Sequence, residues 1–314
     1  MCIRDSYMSY VLNNAEQVVR DLIGTLSNGS FKYEMDSGEV IAVDISIDKV
    51  LHIIDINFSG TSRQSSSNFN APESISRAAV LYVLRTLAQK KIPLNAGFLR
   101  PVNIHIPEGS LLSPDRSAAV VAGNVETSQC IVDALFAALG KLAASQGTMN
   151  NFTFGNAQHQ YYETLSGGSG AGPAFDGCDT IQTHMTNSRL TDPEVLESRY
   201  PIRINTFAVR KNSGGNGHFS GGNGLLREYE FLCPMEVAIL SNHRRIAPFG
   251  LAGGGSGSTG INTVVRKGKP EETLSATASL QLNTGDKIRI ATPGGGGYGN
   301  ILKSETAKNT RTNT

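Results

Sequence analysis

Charge bias is the first thing this 314-residue sequence lacks: 28 lysines and arginines stand against 27 aspartates and glutamates, a formal net charge of +1. A near-neutral chain offers no electrostatic footprint to a nucleic-acid backbone or an anionic membrane surface, so nucleic acid and membrane are excluded as partners. Recognition falls to shape and local chemistry. No stretch approaches the roughly 18 apolar residues of a spanning helix, and no basic-then-apolar leader opens the chain. Cysteine is sparse. Cys2, Cys130, Cys178 and Cys233 lie far apart without a C-x-x-C pair, which excludes a disulfide framework and a zinc knot and fits a reducing, cytoplasmic location. Nucleotide signatures are missing as well. Gly140-Lys141 and Gly268-Lys269 lack the rest of a phosphate loop, and no G-x-S-x-G elbow occurs. Two G-x-G-x-x-G matches, starting at Gly255 and Gly294, are what chance yields in so glycine-rich a region.

What is present divides the chain. With 39% hydrophobic and 18% charged residues it can bury one or two ordinary cores. Of its 34 glycines, 8 precede position 147 and the other 26 lie at or after it. In the first half Ile41, Val43, Ile45 and Ile47 alternate with Ala42, Asp44, Ser46 and Asp48, and the pattern resumes through Ile54, Ile56 and Phe58, which predicts a hairpin against a core. Helical spacing covers Tyr10 to Leu26, residues 72 to 91 behind Pro72, and Glu126 to Ala144. Asn124, Thr127 and Ser128 open the last of these, as caps or as contacts to an anion. The second half shows short strand-like runs at 202–209, 225–232, 237–240 and 287–291, separated by glycine clusters at 167–172, 214–224, 253–260 and 294–299. The expected fold is α+β. Residues 1–6 read as a non-native leader, 7–146 as an α+β part with a hairpin and two core helices, and 147–314 as a glycine-rich β part fraying from about 303. Tight turns with positive φ are the commoner use of such glycines, close backbone approach the rarer.

The densest set of reactive groups runs from Gln158 to Pro201, where His159, Glu163, Asp176, Asp179, His184, Asn187, Arg189 and Asp192 surround a Gly-Gly-Ser-Gly-Ala-Gly loop. Histidines and carboxylates beside a glycine loop can supply acid, base and oxyanion partners for acyl chemistry. A long loop whose polar side chains satisfy their own backbone fits the same residues. His52, His105 and His243 read as structural.

Several runs then match a known pattern in order: Gly155-Asn156-Ala157, Tyr161-Tyr162-Glu163-Thr164, Gly167 to Pro173, Thr183 to Arg189, Thr191 to Pro201, and Thr292-Pro293 through Gly299. Together they resemble the C-terminal part of the B-type half of ATP-hydrolysing 5-oxoprolinases, in the hydantoinase B/oxoprolinase family. The resemblance implies hydrolysis of the lactam 5-oxo-L-proline to L-glutamate, driven by ATP with magnesium and potassium. It implies a hydantoinase A-type half or subunit as the ATP-binding partner, metal ligands outside this chain, and a homo-oligomer of the full enzyme. A chain of this extent is then expected to be inactive alone. Ring opening needs a base to position water, donors for the oxyanion and a cation for the substrate carboxylate. Glu163 and His184 are the candidates for proton handling. Asn187 and the backbone of Gly167, Gly168 and Gly170 are those for the oxyanion, and Arg189 that for the carboxylate. The strip centred on His184 is expected to fold inward and line a cavity. Two alternatives stand beside this one: a B-type subunit of an ATP-dependent hydantoinase or ketone carboxylase, and a non-catalytic scaffold docking an ATP-binding partner.

Overall fold

The computed structural model describes residues 3–88, 90 and 92–301; the expected fraying from about 303 lies outside them. The chain divides into two compact units, one of residues 1–34 with 38–140, the other of 35–37 with 141–314. The architecture is α+β, and among the described residues no helix is long and apolar enough to cross a membrane.

In the first unit a sheet of four strands, β1 (Gly29–Glu34), β2 (Val40–Asp48), β3 (Ile53–Asn57) and β4 (Val102–His105), runs in that spatial order, antiparallel except for the β3–β4 pair. Ile41, Val43 and Ile45 are buried and Asp44 and Ser46 exposed, as the alternation requires. Helix α1 (Ile3–Ile23) starts inside the stretch expected to be a leader, and its buried stripe is Ala15, Val18, Val19 and Ile23. Helix α2 (Glu73–Leu87) follows Pro72 and buries Ala79, Val80, Val83 and Leu84. A π turn at Gly123–Thr127 leads into α3 (Ser128–Ala138), in which every residue is buried. The helical spacing predicted continuation to Ala144. The helix instead ends ahead of Gly140, at φ +65°, a left-handed stop glycine tolerates. Beyond it the amides of Ala143, Ala144 and Gln146 donate to the carbonyls of Ala171, Phe249 and Gly168, bonds a helix could not also make.

The second unit is built on two sheets. One joins β5 (Asn151–Gly155), β6 (Gln160–Thr164), β9 (Met235–Leu240) and β12 (Thr277–Leu282) in the order β12-β9-β5-β6. The other joins β7 (Ile202–Arg210), β8 (Gly224–Phe231), β10 (Ile261–Val265), β11 (Glu272–Leu274) and β13 (Lys287–Ala291) in the order β11-β10-β13-β8-β7. A short helix, α4 (Pro193–Arg199), precedes β7. Alternate residues of β5 and β8 meet between the sheets, Phe152 with Tyr229 at 4.5 Å between ring centroids and Phe154 with Phe231 at 5.7 Å. Each such buried ring stabilises by about 1.5–3 kcal/mol.

The glycine clusters form a third layer without ladder geometry. Extended segments near 141–149, 166–181, 213–224, 247–258 and 292–299 are bonded backbone to backbone: Gly168 N to Pro293 O (3.0 Å), Gly222 N to Ser169 O (2.9 Å), Gly295 N to Gly222 O (2.9 Å), Gly296 N to Ala144 O (2.8 Å). A Cβ on Gly168, Gly170, Gly222, Gly294, Gly295 or Gly296 would stand 1.9 Å from a neighbouring carbonyl oxygen. Of these six none has positive φ. Close backbone approach, the use judged rarer from sequence, is therefore what they serve. Gly222→Ala is expected to cost about 3 kcal/mol or more. Gly268→Ala, with open space at its Cβ and φ +73°, is expected to cost about 1–2 kcal/mol. Thermal unfolding of the two variants checks this, and equal midpoints would contradict the close-approach account.

Candidate active site

Strand β6 sets the site's geometry through its period of two, which turns Tyr161 and Glu163 to the core face and leaves Tyr162 exposed. Glu163 is 4% exposed. The Tyr161 hydroxyl donates to its Oε2 at 2.8 Å, and the Tyr229 hydroxyl donates to its Oε1. Across the sandwich, Arg227 of β8 is fully buried, with Nε 3.6 Å from Glu163 Oε1 and its guanidinium between the rings of Phe207 (4.7 Å) and Tyr229 (5.3 Å). A buried guanidinium is tolerated only with a counter-ion, and losing one partner of such a pair costs about 3–5 kcal/mol. Burial, reinforced by the Glu163 charge, holds the Tyr229 hydroxyl well above the usual phenol range; burial likewise raises Tyr161. Both phenols therefore stay neutral donors.

After β6 the chain enters the glycine layer and returns, closing where Gly167 and Ile181 exchange backbone hydrogen bonds at 3.3 and 2.8 Å. The following loop, residues 182–191, is tied back onto β6. Gln182 Nε2 donates to Thr164 O at 3.0 Å, and the hydroxyls of Ser188 and Thr164 are hydrogen-bonded. At its far end Thr191 is held twice, its hydroxyl by that of Tyr161 at 2.7 Å and its carbonyl by Arg227 Nη2 at 3.0 Å. His184 lies half-buried at φ +52°, a region histidine enters more readily than most residues, and nearby Thr180, β-branched and rarely left-handed, has φ +47°. Such conformations persist where surrounding bonds enforce them, and they cluster at functional sites.

The structure thus gathers His184, Asn187 and Arg189 on one loop beside β6, with Asn187 and Arg189 exposed. Glu163 is not level with them: both its oxygens are held inside the core. The glycines depart from expectation. Gly167, Gly168 and Gly170 are buried, and their amides donate to Ile181 O, Pro293 O and Ser145 Oγ (3.1 Å), which leaves no amide hydrogen there for an oxyanion. A groove of about 540 Å³ opens beside β5, β6 and β9, lined by Thr153, Gln160, Tyr162, Glu236 and Ala238 among others, and none of the predicted site residues lines it. Arg227 and Tyr229 were absent from the predicted set. Their signal was the phase of β8, where Leu225, Arg227, Tyr229 and Phe231 fall on one face and a charge in the apolar register demands a buried partner.

Comparison with known proteins adds three findings. The sequence profile of the family described as Hydantoinase B/oxoprolinase matches residues 4–301. The chain is 45% identical over 95% of its length to 5-oxoprolinase 1 of Arabidopsis thaliana and 42% identical over 94% to 5-oxoprolinase of Dictyostelium discoideum, spanning 25% and 24% of those proteins. The ATP-dependent caprolactamase from Pseudomonas jessenii shares the fold, with a TM-score of 0.83 at 23% identity, over 98% of this chain and 58% of that one.

The raised Tyr229 pKa fixes a pH dependence. Above the ordinary value of 10.0 the unfolded chain ionises this phenol and the folded chain does not, so its contribution is complete below pH 10 and is lost as pH rises beyond it. Tyr229 is expected to give a slope of up to about 1.4 kcal/mol per pH unit. Denaturant unfolding between pH 9 and 12 measures it; the slope should shrink in Tyr229→Phe, and an unchanged slope would refute the assignment.

Proposed function

The chain belongs to the Hydantoinase B/oxoprolinase family, and from that membership we propose that it forms the ring-holding part of an ATP-dependent cyclic-amide hydrolase that opens 5-oxo-L-proline to L-glutamate. The observation that carries this reading is the identity of 45% and 42% to two 5-oxoprolinases across nearly the whole chain. The chain spans about a quarter of those relatives, and among the described residues no cluster of three or more His, Cys, Asp or Glu groups is placed to hold a metal. ATP, magnesium and potassium enter this reading through the family resemblance, with a hydantoinase A-type half or subunit as the ATP-binding partner. A cytoplasmic location accords with the free thiols of Cys130, Cys178 and Cys233.

Within this chain the loop 182–191 faces the substrate. The Arg189 guanidinium, exposed and delocalised, takes the substrate carboxylate in a two-point contact. The Asn187 amide donates to the oxygen that gains charge as water adds to the ring carbonyl. His184 receives a proton from that water and returns one to the departing ring nitrogen, the task an imidazole performs near neutral pH. Glu163, sealed beneath by two phenols and a guanidinium, holds its strand and neighbours in place, and Gly167, Gly168 and Gly170 form the packed floor.

The test expresses the complete reading frame containing this chain and measures ATP hydrolysis dependent on 5-oxoproline, on hydantoins, or on a ketone with bicarbonate. 5-Oxoproline is expected to be the substrate, and His184→Ala to lower kcat by about 10²-fold or more. Turnover with hydantoin or ketone alone would move the assignment to those relatives; normal turnover in His184→Ala would remove this residue from the site.

A further inference from the structure

We propose that Arg227, together with Tyr161, is a positioning residue: by holding Thr191 it fixes the loop 182–191 and so the places of His184, Asn187 and Arg189. The inference rests on the reading of that loop as substrate-facing. Arg227 sits with no exposed surface between two aromatic rings, an expensive place for a permanent charge unless the charge does something an apolar side chain cannot. Among the described residues its Nε and Nη1 find no hydrogen-bond partner, and its Nη2 donates to the carbonyl of Thr191. The hydroxyl of that same residue is bonded by Tyr161, whose own proton goes to Glu163, the counter-ion of Arg227. Two side chains, Tyr161 of β6 and Arg227 of β8, thus meet on one loop residue, and Glu163 is bonded to both of them. Thr191 immediately precedes Asp192-Pro193, where α4 starts, so the loop's far end is fixed at the point where regular structure resumes. Its near end is tied by Gln182, and Ser188, between Asn187 and Arg189, makes a further tie, both on Thr164.

Two variants separate positioning from plain support. Thr191→Val keeps shape and loses the hydroxyl; Arg227→Met with Glu163→Leu replaces the buried pair by apolar groups of similar volume, which buried ion pairs commonly tolerate. The bond after Arg189, exposed within the loop, is a natural trypsin site. In the full chain, Thr191→Val is expected to be cut after Arg189 about 10-fold faster at an unchanged unfolding midpoint, and the double variant, where it folds, is cut faster as well, while Thr191→Ser, which retains the hydroxyl, is cut at the wild-type rate. In the complete reading frame, the KM for 5-oxoproline is expected to rise about 10-fold with little change in the KM for ATP. Unchanged cleavage in Thr191→Val and in any folded double variant overturns the anchoring. Faster cleavage with unaltered kinetics overturns the placement of the loop at the substrate, which is a failure of the functional reading and not of the anchor.

Discussion

A carbonyl oxygen standing where a side chain's first carbon would be is the constraint on which the second unit rests. At six glycines of the cross-bonded layer that separation is 1.9 Å. Only hydrogen fits, so the segments close to a distance at which each backbone serves as its neighbour's hydrogen-bond partner. Buried peptide groups must be paired, and here most are paired backbone to backbone without a strand ladder, with side chains such as Ser145 and Asn223 taking the rest. The layer also sets the path of the chain, because it turns the segment after β6 out and back and delivers residue 182 to the flank of the strand it left.

From that return follows the arrangement around β6. β6 carries Glu163 inward, β8 brings Arg227 and Tyr229 to meet it, and the loop carrying His184, Asn187 and Arg189 lies across the same strand with both ends tied. The charges inside the sandwich and the polar groups on the loop belong to one construction, in which the inner ones cannot reach a solute and the outer ones have no rigidity of their own. The division matches a general rule that functional groups on loops need a supporting shell that locks their geometry.

Much of the first unit was legible. Period-two alternation at Ile41 to Ile47 and the stripe behind Pro72 are local signals, and local signals decide elements that bury one face. The end of α3 was not, because the residues after Gly140 are claimed by carbonyls at Ala171, Gly168 and Phe249, distant in sequence. β5 and β6 were missed for a related reason: each is only five residues long, too short for a period to stand out, and the partner that pairs with β5, β9, is distant in sequence. At the site, composition marked the strip and its loop only as the densest set of reactive groups. It did not separate Glu163 from His184, since burial depends on which strand faces which, and it read the glycine amides as free donors when the layer consumes them.

Native-state hydrogen exchange at the amides of Gly168, Gly215, Gly222, Gly295 and Gly296 tests the central claim most directly. If these backbones form one cross-bonded layer, their protons exchange in the slowest class, at a free energy equal to that of global unfolding and alongside those of β8 and β9. Exchange at rates typical of glycine-rich surface loops, well ahead of the sheets, would contradict it.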